Sequence, residues 1–123
     1  MADDPLAFVR DLCMALPEVT ERISHGEPVW FIRRSFVMYA DRHHDDRVAI
    51  WCAAPPGAQE AFVGSGPERF FRPPYVGHRG WLGVYLDVAV DRAEIAEIIT
   101  EAYRQVAPRR LLAELDALDA LED

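Results

Sequence analysis

Between Trp81 and Val88 the chain alternates without a break. Leu82, Val84, Leu86 and Val88 fall on one side, Trp81, Gly83, Tyr85 and Asp87 on the other. Successive side chains of a β-strand point to opposite faces, so this segment reads as a strand with a wholly aliphatic face. Such a face must be covered, and amphipathic stretches at both ends of the chain can cover it. Leu6, Val9, Cys13 and Leu16 repeat at helical spacing, with Asp4 as cap, Pro5 in the first turn and Pro17 as the stop. Near the other end, Asp91 and Glu94 form a capping box, and Val90 with Ile95 can form a hydrophobic staple. They open a helix that buries Ile95, Ile98, Ile99, Ala102 and Val106 and breaks at Pro108. Leu111, Leu115, Leu118 and Leu121 mark a last helix over residues 109–123.

The middle of the chain reads as short strands. Val29 to Arg33 and Phe36 to Ala40 are apolar runs split by Arg34-Ser35, which predicts a tight hairpin, and Val48 to Cys52 is the next strand. Pro55-Pro56-Gly57 announces a helix from Ala58 to Val63, ended by Gly64. Phe70 to Val76 is extended, but Pro73-Pro74 confines it to an edge or an irregular segment. The order is helix, three strands, helix, one or two strands, two helices. It predicts one α+β domain over residues 1–123, an antiparallel sheet with helices packed on one face. Alternation then places Trp30, Tyr39, Trp51 and either Trp81 or Tyr85 on the second face. Those rings either pack under loops or form an exposed platform for bases or another flat ligand.

Composition narrows the setting. The longest run of large apolar residues is Val29 to Ile32, far short of the ~20 that cross a bilayer, so no membrane partner is expected. The acidic start, Met1 to Pro5, lacks the features of a secretory signal. Cys13 and Cys52 sit in apolar patterns and read as buried free thiols, which fits a reducing cytoplasm. The 13 basic residues are all Arg, and the net charge is −8, a field that repels nucleic acid and anionic lipid. The sign varies along the chain. Residues 91–123 hold nine acids and four Arg, whereas residues 61–90 hold Glu68 and Asp87 against Arg69, Arg72 and Arg79. An anion-binding surface is therefore expected in the middle.

No motif specifies a reaction. Asp41-Arg42-His43-His44-Asp45-Asp46 has the residue types of a metal cluster but the spacing of one solvated loop, so no metal is expected. Ser24, Ser35 and Ser65 lack a nucleophile elbow, and nothing in the spacing pairs them with His25, His43, His44 or His78. The expectation is a non-enzymatic protein without a cofactor. Gly77-His78-Arg79-Gly80 is either a turn that sets the following strand or a loop that contacts an anion. Arg33-Arg34, at a hairpin tip, is placed to touch phosphate as a wing would.

Two blocks resemble the signature segments of the MmcQ/YjbR family. They are Ser24-His25-Gly26-Glu27-Pro28-Val29-Trp30-Phe31 and the stretch from Phe70 through Arg72, Pro73-Pro74-Tyr75-Val76 and Gly77-His78-Arg79-Gly80-Trp81 to Asp87. Leu16 to Thr20 and Ala107 to Leu111 also fit, so the resemblance spans nearly the whole chain. It implies a CyaY-like α+β fold and small cytoplasmic bacterial relatives that often carry a DNA-binding label with a double-wing arrangement. No catalytic residues come with it. The CyaY-like fold is shared with frataxin, an iron binder, but Asp3, Asp4, Asp11 and Glu18 read here as ordinary surface.

Three readings follow. In the first, a nucleic acid or other anion is held by Arg33, Arg34, Arg72, His78 and Arg79, with Trp81 or Tyr85 stacking. The second is a pocket for a small flat or anionic ligand beside His78 and Arg79. The third is an adaptor whose acidic last helix offers an apolar stripe at Leu111, Leu115 and Leu118.

Overall fold

The computed structural model describes residues 4–42, 46–89 and 91–122. Its first helix, α1 (Pro5–Met14), is capped as expected: the Asp4 carboxylate accepts the Leu6 N–H at 3.0 Å. Strands β1 (Thr20–Ser24), β2 (Glu27–Ile32), β3 (Arg34–Asp41) and β4 (Val48–Cys52) follow, then α2 (Ala58–Ser65) and the two-residue β5 (Phe70–Phe71). A 3₁₀ turn (Gly77–Arg79) leads into β6 (Leu82–Tyr85), and α3 (Arg92–Val106) and α4 (Arg109–Glu122) complete the chain. The six strands form one antiparallel sheet in the order β1-β2-β3-β4-β6-β5. The class is α+β, as the order of elements predicted.

The register sorts the residues of the two faces. Trp30, Val37, Cys52 and Leu82 lie in one row across the sheet, and Tyr39, Ile50, Val84 and Phe70 in the next. All eight are buried in the main core, beneath the helices. The aliphatic side of the diagnostic segment is buried at Leu82, Val84 and Leu86, but the strand ends at Tyr85 and Val88, beyond it, is only half-buried. Ile95, Ile98, Ile99, Ala102 and Tyr103 of α3 meet this face. A bulge at Trp30/Phe31 leaves Phe36 without a partner on β2, and its ring meets Tyr103 edge-on at 5.8 Å. The Tyr103 hydroxyl donates to the Pro17 carbonyl at 2.9 Å, so its polar tip is satisfied.

Several expectations need correction. Trp30 and Tyr39 belong to the helix-covered face, not the second one. The Trp30 indole N–H donates to Glu21 at 2.9 Å, and Arg10 grips the same carboxylate, tying α1, β1 and β2 together. Strand β1 was absent from the sequence reading because it is a polar edge strand. Its one large apolar residue, Ile23, is 66% exposed. The β2–β3 turn sits on Arg33 (φ 67°), so Arg34-Ser35 opens β3 instead of forming the turn. Pairing of β5 stops at Phe71, ahead of Pro73-Pro74. Asp91 caps α3 through the Ala93 and Glu94 N–H groups, while the Glu94 carboxylate pairs with Arg69 at 2.9 Å. The expected staple rests on Val90, which lies outside the described residues.

Cys13 and Cys52 are free and buried, as expected. Burial pushes both thiols up, Cys52 to about 12, so neither is a thiolate at neutral pH. On α4, Leu111 and Leu115 are buried and Leu118 is half exposed, which removes the main support for an apolar adaptor stripe. Among the described residues no helix is long and apolar enough to cross a membrane.

Candidate functional site

The second face of the sheet carries the row Val29, Met38, Trp51, Gly83 and Phe71. Its two halves differ. On the β4-β6-β5 side the chain covers itself. The Phe71 ring lies directly over Gly83, where a Cβ would come within 2.4 Å of a ring carbon. Phe71 stacks on Tyr85 at 4.5 Å, and the Arg47 guanidinium lies over the Tyr85 ring at 3.5 Å. Two hydrogen bonds, 3.1 and 2.8 Å, fasten Arg47 to Asp87 and hold that carboxyl below its usual range.

On the β1-β2-β3-β4 side no described element packs over Met38 and Trp51, which are half-buried, while Val29 and Ala40 are buried. Val29, Met38, Ala40 and Trp51 floor a groove of about 630 Å³. One wall is the β1–β2 turn. Ser24 pairs with Glu27, leaving a two-residue loop, His25-Gly26, with both φ positive (53° and 83°). That geometry matches the right-handed twist of the flanking strands and is the reason a glycine follows His25. Glu27 faces the groove and accepts the Asp41 N–H at 2.7 Å.

The opposite wall is Tyr75-Val76. Tyr75 is 85% exposed and held at φ 65°. The Val76 N–H donates back across it to the Pro74 carbonyl at 2.6 Å. This is the rarer, strained hand of the γ-turn, with a bulky residue at its centre. The segment after it is anchored from below. Gln59 of α2 is buried, and its amide donates to the Gly77 carbonyl at 2.9 Å and the Trp81 carbonyl at 2.6 Å. Gly77 is needed where the Arg72 stem crosses it, since a Cβ there would lie 2.7 Å from Arg72 Cγ.

The residues singled out from sequence fall elsewhere. Arg33 and Arg34 lie at the β2–β3 turn. Arg72, His78 and Arg79 lie on the connection from β5 to β6. All five are exposed. The turn and the 3₁₀ segment share the end of the sheet where β4 finishes and β6 begins. Trp81, expected as a stacking surface, is only 3% exposed, with Arg79 5.3 Å from its ring. Tyr85 is held between Phe71 and Arg47. Of the rings expected on the second face, Trp51 borders the groove, and Tyr39, though part of the core cluster, also contributes to its lining. His43, His44 and Asp45 of the expected polar loop lie outside the described residues, and among those described no three metal-ligating side chains cluster. The groove's walls come from the two blocks quoted above for the family resemblance, Ser24 to Val29 and Tyr75-Val76. That was the signal available for a site the spacing of charges did not reveal.

Comparisons agree with this fold. No curated protein matches the chain significantly. The structure is similar to the crystal structure of Deinococcus radiodurans protein DR2400, which carries a DUF419 domain. The TM-score is 0.71 at 16% identity, over 94% of this chain and 92% of that one. At that identity the likeness speaks for the fold alone. A family model described as YjbR matches residues 14–105, a span that includes both walls of the groove. The chain belongs to the YjbR family.

Proposed function

We propose that this chain is a non-enzymatic binding module, and that its site is the groove between the His25-Gly26 turn and Tyr75. The observation that carries this reading is an apolar, aromatic-floored groove of about 630 Å³ that none of the described residues fills. Its size lies within the ~300–1,000 Å³ typical of small-molecule sites. Trp51 and Tyr75 favour a flat ligand, and Ser24 and His25 offer hydrogen bonds at one end. Two buried free thiols fit a reducing, cytoplasmic setting. The test is an NMR titration of the labelled protein with a panel of small aromatic compounds. The Trp51 indole N–H should move while those of Trp30 and Trp81 stay, and Trp51→Leu should abolish binding. A panel in which no compound moves Trp51 at millimolar concentration refutes the groove as a site.

A second reading, nucleic-acid binding, is favoured by a different observation. Arg10, Arg47, Arg69, Arg104 and Arg110 each hold a carboxylate within 3 Å. Among the described residues Arg33, Arg34 and Arg72 hold none and are exposed at or near one end of the sheet. Fluorescence anisotropy with single- and double-stranded DNA at two salt concentrations tests it. Binding should weaken with salt and with Arg72→Ala/Arg79→Ala, because phosphate contacts release counterions. Flat curves at low salt refute it.

A further inference from the structure

We infer that Tyr75 is the residue that grips the groove's ligand, a planar aromatic ring system, and that the fold holds its ring there against the preference of the backbone. This rests on reading the groove as the binding site, and it names the residue that makes the site selective. Tyr75 stands at φ 65°, a region that a bulky side chain rarely adopts and that glycine or asparagine enters far more easily. A fold that needed only the turn would be better served by either of those. Glu18, also at positive φ (62°), shows what can offset such strain: its carboxylate accepts two hydrogen bonds from Arg110, at 2.7 and 2.9 Å. Tyr75 has no comparable pairing. It is 85% exposed, and among the described residues its ring neither stacks on another ring nor meets a guanidinium.

The backbone beneath that ring is fixed on both sides. Pro74 has its φ set by its own ring, and the Val76 N–H closes the turn on the Pro74 carbonyl at 2.6 Å. Pro73, Val76 and Gly77 are buried, and Gln59 holds the Gly77 carbonyl from below. A ring displayed on a fixed backbone loses little freedom when it is covered, because only its two side-chain torsions have to settle. Strain kept for a side chain that the chain itself leaves uncovered is what a ligand clamp requires. The groove decides what the clamp closes on. Tyr75 and Val76 line one wall, and Trp51 and Met38 line the floor. Two aromatic side chains and a thioether around one space favour a flat π-system over a saturated ring of the same size, which cannot stack. The volume of about 630 Å³ accommodates a bicyclic ring.

Two probes of similar size, 2-naphthol and decahydro-2-naphthol, share a hydroxyl and differ in planarity. Each is titrated into the full chain by NMR, following the Trp51 indole N–H, with calorimetry for affinity. 2-Naphthol should bind about tenfold tighter than the saturated compound. Tyr75→Asn removes the ring but supplies a residue that accepts positive φ. It should raise the urea midpoint by about 0.3–0.5 M and weaken 2-naphthol about tenfold. Tyr75→Phe, which returns a ring, should restore the affinity. If Tyr75→Asn binds 2-naphthol as tightly as the unmutated chain, or the saturated compound binds as well as the planar one, while Trp51 moves, the clamp is wrong and the groove reading stands. If the midpoint of Tyr75→Asn does not rise, the ring serves the fold and the inference fails. If no probe moves Trp51, both readings fall.

Discussion

Replacing Gln59 with Leu removes the one amide that ties α2 to both ends of the 3₁₀ segment. The side chain is 4% exposed, and its two bonds, 2.9 Å to Gly77 and 2.6 Å to Trp81, satisfy carbonyls of residues that are themselves buried. Leu is close in volume but cannot donate. The Trp81 carbonyl loses this donor, at about 1–3 kcal/mol, whereas the Gly77 carbonyl still accepts the Gly80 N–H at 3.0 Å. The lost second bond to Gly77 adds to this and relaxation or water entry offsets part, which leaves about 1–3 kcal/mol. Against a total of about 5–15 kcal/mol for a domain, that is a large fraction. Equilibrium urea unfolding measures it. With an m-value of about 2 kcal/mol/M, the midpoint should fall by about 0.5–1.5 M at unchanged slope. Gln105→Leu, an exposed position on α3, is the control and should stay within about 0.5 kcal/mol. A midpoint shift below about 0.3 M for Gln59→Leu would show that the segment holds itself, and the argument that α2 positions Tyr75's neighbours would be wrong.

Three further outcomes are expected. Gly83→Ala drives a methyl into the Phe71 ring, displaces its stack on Tyr85 and should destabilise by about 1–3 kcal/mol in the same assay. Glu21 is held below the usual carboxylate range, chiefly by the Arg10 hydrogen bond, and Asp87 likewise by Arg47. A depressed folded-state pKa gives stability that is present above about pH 4 and lost as the pH falls through the folded value. Acid titration of Glu21→Gln should accordingly show a shallower loss below pH 4 than the unmutated chain. Cys13 and Cys52, buried and protonated, should react with a disulfide reagent only at the rate of unfolding, and a fast phase in native buffer would contradict their placement.

How much was legible in the sequence depended on whether one physical signal dominated. The strand at Trp81 and the helices α1 and α3 were readable because periodicity and caps agreed. Strand β1 was not, because an edge strand whose buried contacts are polar leaves no apolar pattern. The two faces were harder still. Val29 and Trp30 are adjacent, apolar and both buried, so alternation separates them without saying which one meets helices. A ring in the core and a ring in a groove have the same composition. What distinguishes them is the Glu21 carboxylate bonded to Trp30 on one side and, among the described residues, the lack of a covering element over Trp51 on the other. The groove's far wall depends on a positive φ at Tyr75, which residue type argues against.

The poor legibility of β1 has a consequence for how the protein behaves among copies of itself. An open sheet ends in two rows of backbone donors and acceptors that can recruit another strand. Here one border is two residues long and runs into two prolines. The other alternates charge through Glu21 and Arg22 and leaves Ile23 as its one large apolar side chain. Neither border invites growth by a neighbouring chain. Extension of the sheet by a second copy is disfavoured at both borders.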